Sequence, residues 1–263
     1  MPANNLYDIK KRITAAKQTH KITRTMELIA SSRLQRSKTL LTRYKDWSKH
    51  MHEAAQCLPD SYYKPLPNSN KNNEAYVVFG GSKGLSGSYG PNLLNYAEPI
   101  TSGGIILAVG SATAAFFQKS HSFFGDDFPS AGFARTIVQS AKSVYESKDV
   151  SAVSLIYMRG TKLLTKQLFP LIRGDENDDS IMIVEPSPRV LFPALYDEYA
   201  ESIVYEAHLH AFIAEQIARV SAMDSASKNA DEIIENLQAK YNRIRQSSIT
   251  QEIITVSNAV RGD

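Results

Sequence analysis

Apolar and small residues recur at alternating spacings of four and three along the last third of the chain. This spacing matches the heptad repeat of a coiled coil, in which such residues form one seam along a helix. The repeat continues without a slip for more than five heptads, which predicts a long helix that pairs with another helix. The seam positions are Leu209, Ile213, Gln216, Val220, Met223, Ser227, Ala230, Ile234, Leu237, Tyr241, Ile244 and Ser248.

The first quarter of the chain carries a second seam, which is interrupted by a change of phase. The apolar residues nearest the N-terminus do not continue the four-three alternation of the residues that follow them. We therefore expect the packing of this helix to change between the runs. The early runs are Ile9, Ile13 and Ala16, then Ile22, Met26 and Ile29, and the later run is Ala30, Leu34, Ser37, Leu41, Tyr44, Ser48, Met51, Ala55 and Leu58.

Apart from Pro2 and Gly262, the helix-breaking residues glycine and proline are confined to the middle of the chain. Neither glycine nor proline occurs from residue 3 to 58, or from 194 to 261. Both ends are therefore predicted as unbroken helices of about 50–60 residues, which would be about 75–90 Å long. Such length exceeds what a domain of this size needs, so it should serve a partner. We predict an N-terminal coiled-coil helix at 1–58, a central domain at 59–193 and a C-terminal coiled-coil helix at 194–263.

The middle of the chain alternates between short apolar runs and stretches with helical spacing. This order predicts a Rossmann-like α/β domain with an at least partly parallel sheet. The predicted fold class is thus α/β plus a long antiparallel coiled coil, in which the N- and C-terminal helices pair and the central domain lies at one end. The predicted strands are 75–79, 105–109, 153–158, 163–171 and 181–185, and the predicted helices are 112–118 and 134–147.

Charge separates the three segments. Residues 3–58 carry a net charge of +8, residues 59–193 are neutral, and residues 194–263 carry −5. Opposite net charges favour pairing of the two terminal helices with each other. The basic residues of the first helix occur all round it with few aromatic residues between them, which argues against a nucleic-acid-binding face.

The uncharged stretch at residues 99–118 is about as long as a membrane span. Three glycines interrupt it, so we interpret it as a buried strand that enters a helix. Cys57 is the only cysteine, which excludes an internal disulfide. The N-terminus lacks the apolar segment of a secretory signal. These features predict a soluble or peripheral protein.

Candidate chemistry is sparse. The glycine-rich loop at residues 80–87 follows a predicted strand, but it has neither the Walker nor the dinucleotide-binding spacing. A structural turn is favoured there, and nucleotide binding stays an alternative. The acidic residues 175–179 begin like a calcium loop, but Ser180 and Pro186 stand where such a loop has glycine and glutamate. His50 and His52 are two apart, whereas helical residues that share a metal are three or four apart. We predict no catalytic residues, no metal site and no cofactor.

Four motifs, in order along the chain, resemble the gamma subunit of F-type ATP synthases. They are THKITRTMELIA at 19–30, SKGLSG at 82–87, AMDSASKNA at 222–230 and YNRIRQSSITQEI at 241–253. The last is the most specific. Ser82 and Ser86 stand where that family commonly has Asp and Cys, and the end after residue 253 also departs from the family pattern. A divergent or alternative rotary ATPase is therefore also compatible with the motifs.

The resemblance implies a non-catalytic rotor shaft. The paired helices would turn inside a ring of alternating alpha and beta subunits, while the α/β domain contacts an epsilon-type subunit and the membrane rotor ring. Ion-driven rotation would thereby be coupled to ATP synthesis or hydrolysis, with no nucleic acid and no small-molecule substrate. The expected place is peripheral on the cytoplasmic face of a bacterial inner membrane, or on the matrix side of the mitochondrial inner membrane.

The resemblance also implies partner contacts for individual residues. Their alternative roles are seam packing for Met26 and solvated helix positions for the others. Two other functions stay open at this point, a coiled-coil scaffold unrelated to ATPases and a nucleotide-binding α/β protein. The predicted partner-contact residues are Met26, Arg219, Arg245, Gln246, Thr250 and Glu252.

Overall fold

The computed structural model describes residues 2–63, 70–81, 83–118, 121–123, 128–147, 150–172, 185 and 187–260. Its helices and strands form two compact units, one made of Met1–Ala30 with Val220–Asp263 and the other of Ser31–Arg219. The domain boundaries after residues 58 and 193, which the sequence analysis predicted, stay a prediction. In chain order the elements are α1 (Pro2–Ala55), β1 (Asn70–Phe79), α2 (Tyr89–Thr101), β2 (Ile105–Val109), α3 (Ser111–Phe116), β3 (His121–Phe123), α4 (Ala131–Ser147), β4 (Val150–Arg159), β5 (Lys162–Phe169) and α5 (Pro188–Val260), with a short 3-10 turn at Asp60–Tyr62.

In the first unit, the start of α1 pairs with the end of α5 in antiparallel fashion. The hydroxyls of Thr23 and Ser227 form a buried hydrogen bond of 2.8 Å, and His20 Nε2 lies 3.3 Å from a carboxylate oxygen of Asp231. From residue 228 to 248, only the predicted seam positions of α5 are buried or half-buried. The C-terminal seam is therefore confirmed.

The predicted phase change in α1 is wrong. Ile22, Met26 and Ile29 are 57%, 36% and 51% exposed, so they do not belong to the seam. The helix has no break at which its phase could shift, and the four-three spacing continues backwards from Ala30 on one face. Polar residues consequently fill part of the seam, whose positions are Ile9, Ile13, Ala16, His20, Thr23, Glu27 and Ala30.

Replacing Thr23 by valine is expected to lower the free energy of unfolding of the helix pair by about 1–2 kcal/mol, because the buried hydroxyl of Ser227 loses its partner. Adding Ser227→Ala should recover most of this loss. Helical circular dichroism during thermal unfolding measures both effects. Thr25→Val is the matched control, since Thr25 is exposed and its hydroxyl bonds only to the carbonyl of Lys21 among the described residues; an equal loss there would contradict the prediction.

The second unit also contains an antiparallel helix pair, formed by the end of α1 and the earlier part of α5. The rings of Tyr44 and Tyr205 meet edge to face at 4.7 Å, and His52 Nδ1 lies 2.7 Å from the hydroxyl of Tyr199. Positions rise along α1 as they fall along α5, which confirms the antiparallel arrangement. The predicted pairing of the N- and C-terminal helices is thus confirmed within each unit.

The central sheet has five strands in the order β3-β2-β1-β4-β5. The first four are mutually parallel, and β5 pairs antiparallel with β4. This mixed sheet confirms the predicted α/β class. Sequence reasoning missed β3 and also α2, whose helical pattern is obscured by Pro91, Pro99 and flanking glycines. The predicted strand at 181–185 lies almost wholly outside the described residues.

Each face of the sheet is covered by helices. On one face, side chains such as Val77 and Leu155 pack with α4, with the end of α1 and with residues 199–211 of α5. On the other face, Val78 and Ile156 pack with α2 and with Ala214 of α5. Successive side chains of a strand point to opposite faces of the sheet. Residues of α5 pack against both faces, so this helix contributes to both layers of the core. This places residues 208–219 at the carboxyl ends of β1 and β4.

Candidate functional site

Large apolar side chains lie on the outside of the helix pair of the first unit. Isolated exposed apolar residues are normal on a protein surface. Here, however, they accompany a seam that contains hydroxyl, imidazole and carboxylate groups, so the apolar and polar positions are partly exchanged. Ile22, Met26 and Ile29 are spaced four and three apart, so they lie along one side of α1, and an exposed apolar stripe of this kind is typical of a protein interface. We use the name outer apolar surface for this stripe together with the other exposed apolar side chains of the unit, which are Leu28, Ile233, Ile249, Ile253, Ile254 and Val256.

The end of α5 is exposed on all sides. Every side chain from residue 249 to 257 is exposed, including Ile253 at 63% and Val256 at 64%. A single helix with apolar residues all round it is stable when a surrounding structure buries them. This segment therefore has the chemistry of a tip that is enclosed by another protein.

The predicted partner-contact residues fall into two groups. Met26 belongs to the outer apolar surface, and Arg245, Gln246, Thr250 and Glu252 are exposed positions of α5 in the same unit. The hydroxyl of Thr250 donates to the carbonyl of Gln246 at 2.9 Å. Arg219 belongs to the other unit. A role for any of these residues in partner contact stays a prediction.

Arg219 fastens the glycine-rich loop to α5. Its guanidinium donates to the carbonyl oxygens of Lys83 at 3.1 Å and Gly84 at 3.4 Å, and to the carboxylate of Glu215. Glu215 is 4% exposed, and the Arg219 side chain 12%. Burial raises the pKa of Glu215, while the charge and hydrogen bond of Arg219 oppose that rise. Sequence reasoning missed Glu215, although its spacing of four from Arg219 signals such a pair.

The loop after β1 is built for close packing with the loop after β2. A Cβ atom at Gly80 would lie 1.6 Å from the Thr113 hydroxyl, and one at Gly110 only 2.8 Å from the carbonyl oxygen of Gly81. Gly110 also has a φ of +99°, which favours glycine. These glycines therefore serve a structural turn.

Nucleotide binding at this loop finds no support in the geometry. A phosphate is held by N–H donors, whereas the carbonyls of Lys83 and Gly84 turn towards a guanidinium. The order of the strands reverses between β1 and β4, where doubly wound folds usually bind ligands. Here rings of α5 pack against both strands, with His208 stacked on Phe79 and His210 on Tyr157. Ser82 lies outside the described residues.

A groove between α4 and the first turns of α5 has a volume of about 580 Å³. Both basic residues of α4 that line it pair with acidic residues of α5. Arg135 Nε lies 2.8 Å from a carboxylate oxygen of Glu201, and Lys142 bonds to Asp197. The groove thus joins α4 to α5 through ion pairs and offers no unpaired charge to a ligand at these positions.

No helix of the described chain combines the length and apolarity needed to cross a membrane. Within the same residues, no three His, Cys, Asp or Glu side chains come together as a metal site. The acidic residues 175–179 lie outside the described part.

Comparison with known proteins agrees with the motifs. A family model described as ATP synthase matches residues 5–261. The ATP synthase gamma chain of Ruminococcus albus is 32% identical, over 98% of this chain and 99% of that protein. The ATP synthase gamma chain of Clostridium perfringens strain 13 is 30% identical, over 96% of each chain.

Solved structures share the fold. A chain of the Euglena gracilis mitochondrial ATP synthase (OSCP/F1/c-ring, rotational state 3) matches with a TM-score of 0.70 and 16% identity, over 99% of this chain and 95% of that chain. A chain of the Tetrahymena thermophila mitochondrial ATP synthase central stalk and c-ring matches with a TM-score of 0.58 and 20% identity, over 78% of this chain and 99% of that chain.

The match to the ATP synthase family model and the fold shared with solved ATP synthase stalks identify the chain as a stalk subunit of a rotary ATPase. The chain belongs to the ATP synthase gamma chain family, whose members form the central rotor stalk.

Proposed function

We propose that this chain is a non-catalytic shaft that couples ion-driven rotation to ATP synthesis or hydrolysis in a head of alpha and beta subunits. The observation that supports this best is the exchange of apolar and polar positions in the first unit, where Ile22 and Met26 are exposed while Thr23 is buried. A helix pair with this pattern gains stability when a surrounding apolar sleeve covers it. We infer that the head provides that sleeve.

Rotation would act through differential contact. The outer apolar surface is uneven around the helix pair, since α1 and α5 contribute different residues to it. Each beta subunit would therefore meet a different set of side chains at each angle, and a contact that favours one state of a catalytic site shifts its population. Arg245, Gln246, Thr250 and Glu252 are exposed on α5 and can supply polar contacts in the same way.

The α/β unit would contact an epsilon-type subunit and the membrane rotor ring. These contacts would hold the protein peripherally at the membrane, on the cytoplasmic face in a bacterium or on the matrix side in mitochondria. The exposed loop tip at Leu85, which has a φ of +65° and is 58% exposed, is a further candidate contact. The hydrogen bonds from Arg219 to the carbonyl oxygens of Lys83 and Gly84 stabilise this loop, in which Leu85 has a backbone conformation that leucine seldom adopts.

Capture of the tagged chain from its native membrane tests the proposal. Mass spectrometry should identify alpha and beta subunits in the captured complex. The same complex should hydrolyse ATP in an activity assay. Capture of partners without a nucleotide-hydrolysing head would favour the scaffold alternative. Saturable binding of ATP to the isolated chain, abolished by a change in the loop at residues 80–87, would favour the nucleotide-binding alternative.

Met26→Glu is expected to reduce ion pumping per ATP hydrolysed by about tenfold or more in the purified complex, because a charge would be buried against an apolar sleeve. ATP hydrolysis and proton uptake into vesicles, measured on the same preparation, give the ratio. Met26→Leu is the matched control, because it preserves the apolar contact, and it should pump normally. Normal coupling by Met26→Glu would exclude Met26 from the contact.

A further inference from the structure

A pocket of about 370 Å³ lies between the later part of α1, the first turn of α4 and α5, all within the second unit. Volumes of this size are typical of small-molecule sites. Tyr44 and Trp47, three residues apart on α1, line it together with Tyr205 of α5. We call it the aromatic pocket, and the lining residues that matter here are Tyr44, Trp47, Arg135, Glu198, Glu201 and Tyr205.

The two tyrosine rings of the aromatic pocket are held in place by their own contacts. Tyr44 and Tyr205 meet edge to face with centroids 4.7 Å apart. The hydroxyl of Tyr44 also bonds to that of Ser202, which itself donates to the carbonyl of Tyr199. Trp47, by contrast, is 52% exposed. A wall that is already ordered lowers the entropic cost of binding, and the exposed indole gives a ligand a third ring to contact.

The charged residues that line the aromatic pocket have a net negative charge. Two carboxylates, those of Glu198 and Glu201, accompany one guanidinium, that of Arg135. The guanidinium lies 2.8 Å from Glu201 but 3.5 Å from Glu198, so Glu198 is the less strongly paired of the two. Burial and the carboxylates of Glu206 and Glu198 raise the pKa of the Tyr44 hydroxyl, as a negative potential does. Aromatic rings beside excess negative charge attract an organic cation.

We propose that the aromatic pocket binds a small quaternary ammonium cation of the choline type, with its methylated nitrogen against the rings of Tyr44, Trp47 and Tyr205. The nitrogen of such a cation donates no hydrogen bond. This suits a site in which the carboxylate of Glu201 already accepts one from Arg135. A primary ammonium is more strongly hydrated and would need acceptors in place of its water. The inference goes beyond the proposed function and does not depend on it.

The negative charge also distinguishes two sources of the same trimethylammonium group. In free choline the remainder of the molecule is a neutral hydroxyethyl group, whereas a phosphatidylcholine headgroup carries a phosphate close to the nitrogen. That phosphate would lie near the carboxylates of Glu198 and Glu201 and be repelled, while Arg135 is already bonded to Glu201. We therefore assign the pocket to the free cation, and choline should bind more tightly than phosphocholine.

Intrinsic fluorescence gives a direct test, because Trp47 is the only tryptophan of the chain and lines the pocket. Titration of the purified full chain with choline chloride, at constant ionic strength, should change the emission saturably with a dissociation constant on the order of 1 mM. Dimethylbutanol, the neutral analogue with carbon in place of the charged nitrogen, should bind about tenfold more weakly. Phosphocholine should also bind more weakly than choline.

Variants locate the bound cation. Glu198→Gln should weaken choline binding about fivefold, because it removes a negative charge from the pocket. Glu146→Gln is the matched control, since it makes the same change at an exposed residue of α4 that lines the neighbouring groove, and it should bind choline like the wild type. Trp47→Leu, followed by calorimetry because the reporter is lost, should bind about tenfold more weakly. Circular dichroism checks that each variant is folded.

Four outcomes would overturn the proposal. The first is a fluorescence change no larger than sodium chloride produces, and the second is equal affinity for choline and dimethylbutanol, which would show that charge is not recognised. Unchanged choline binding in folded Glu198→Gln and Trp47→Leu would place the cation elsewhere. Tighter binding of phosphocholine than of choline would assign the pocket to a lipid headgroup. None of these results affects the capture of alpha and beta subunits, so the proposed function is tested separately.

Discussion

Replacing Arg219 by alanine is expected to lower the free energy of unfolding of the α/β unit by about 3–5 kcal/mol, because it leaves the carboxylate of Glu215 buried without its counter-ion. The change also removes the two hydrogen bonds that hold the carbonyls of Lys83 and Gly84. Urea denaturation followed by circular dichroism measures the loss.

The loss should depend on pH in a defined direction. Burial raises the pKa of Glu215 in the folded state, so the folded chain binds a proton there more readily than the unfolded chain. The folded state is therefore penalised as pH rises through that pKa. Without Arg219 the pKa of Glu215 rises further, because the positive charge that favoured the carboxylate is gone. The loss of stability in Arg219→Ala should therefore be larger near pH 8 than near pH 5.

Two comparisons separate the buried pair from an ordinary surface pair. Adding Glu215→Gln to Arg219→Ala should recover part of the stability, because the unpaired charge is removed. Lys228→Ala breaks the pair of Lys228 with Asp224, which has the same spacing on the same helix but is exposed, and it should have no measurable effect. If Arg219→Ala changed the free energy of unfolding as little as Lys228→Ala does, the pair of Arg219 with Glu215 would not stabilise the fold. Partner contact would then become the better explanation for Arg219.

Acidification is expected to destabilise the α/β unit by about 2–3 kcal/mol through His208 alone. The ring packs between Phe79 and Phe133, with centroid distances of 5.5 Å to each. Its Nδ1 atom is inaccessible and has no hydrogen-bond partner among the described residues. Burial lowers the pKa of His208 from 6.5 to about 4. The unfolded chain therefore binds a proton more readily, and stability is complete above pH 6.5 and falls as the pH drops towards 4.

Denaturation curves from pH 4.5 to 7.5 measure this effect. His208→Gln removes the titrating group but preserves a neutral polar side chain, so its stability should vary less over this range than that of the wild type. His50→Gln is the control, because His50 is exposed and lies beside Glu53, and the acid sensitivity should persist in it. Equal slopes for the wild type and His208→Gln would show that another group causes the loss.

The phase of the N-terminal seam shows where sequence reasoning went wrong. Apolar spacing alone placed Ile22, Met26 and Ile29 inside, because hydrophobic residues usually mark the buried stripe of a helix. The structure buries Thr23 instead, opposite Ser227. A helix that is covered on both sides, by its partner helix and by another protein, has two buried stripes, and periodicity cannot tell which one faces the partner helix. The exposed apolar stripe is consequently the functional one in our proposal.

The candidate site was only partly predictable for a similar reason. Motif resemblance pointed to Met26 and to the exposed residues of α5, and it also pointed to Arg219. It gave no sign that Arg219 would bond to the loop at Lys83, because those residues are 136 positions apart. Helix α2 was likewise missed, because Pro91, Pro99 and the flanking glycines obscure its helical pattern.

By itself, the sequence determined the two long helices, the α/β centre and the family. Each depends on local information, namely the absence of glycine and proline, the four-three spacing and motifs of consecutive residues. Only the tertiary structure decided which stripe of α1 turns inward and how Glu215 and Arg219 hold the loop. The physical reason is that burial and pairing depend on residues distant along the chain, and their free energies are settled only when those residues meet.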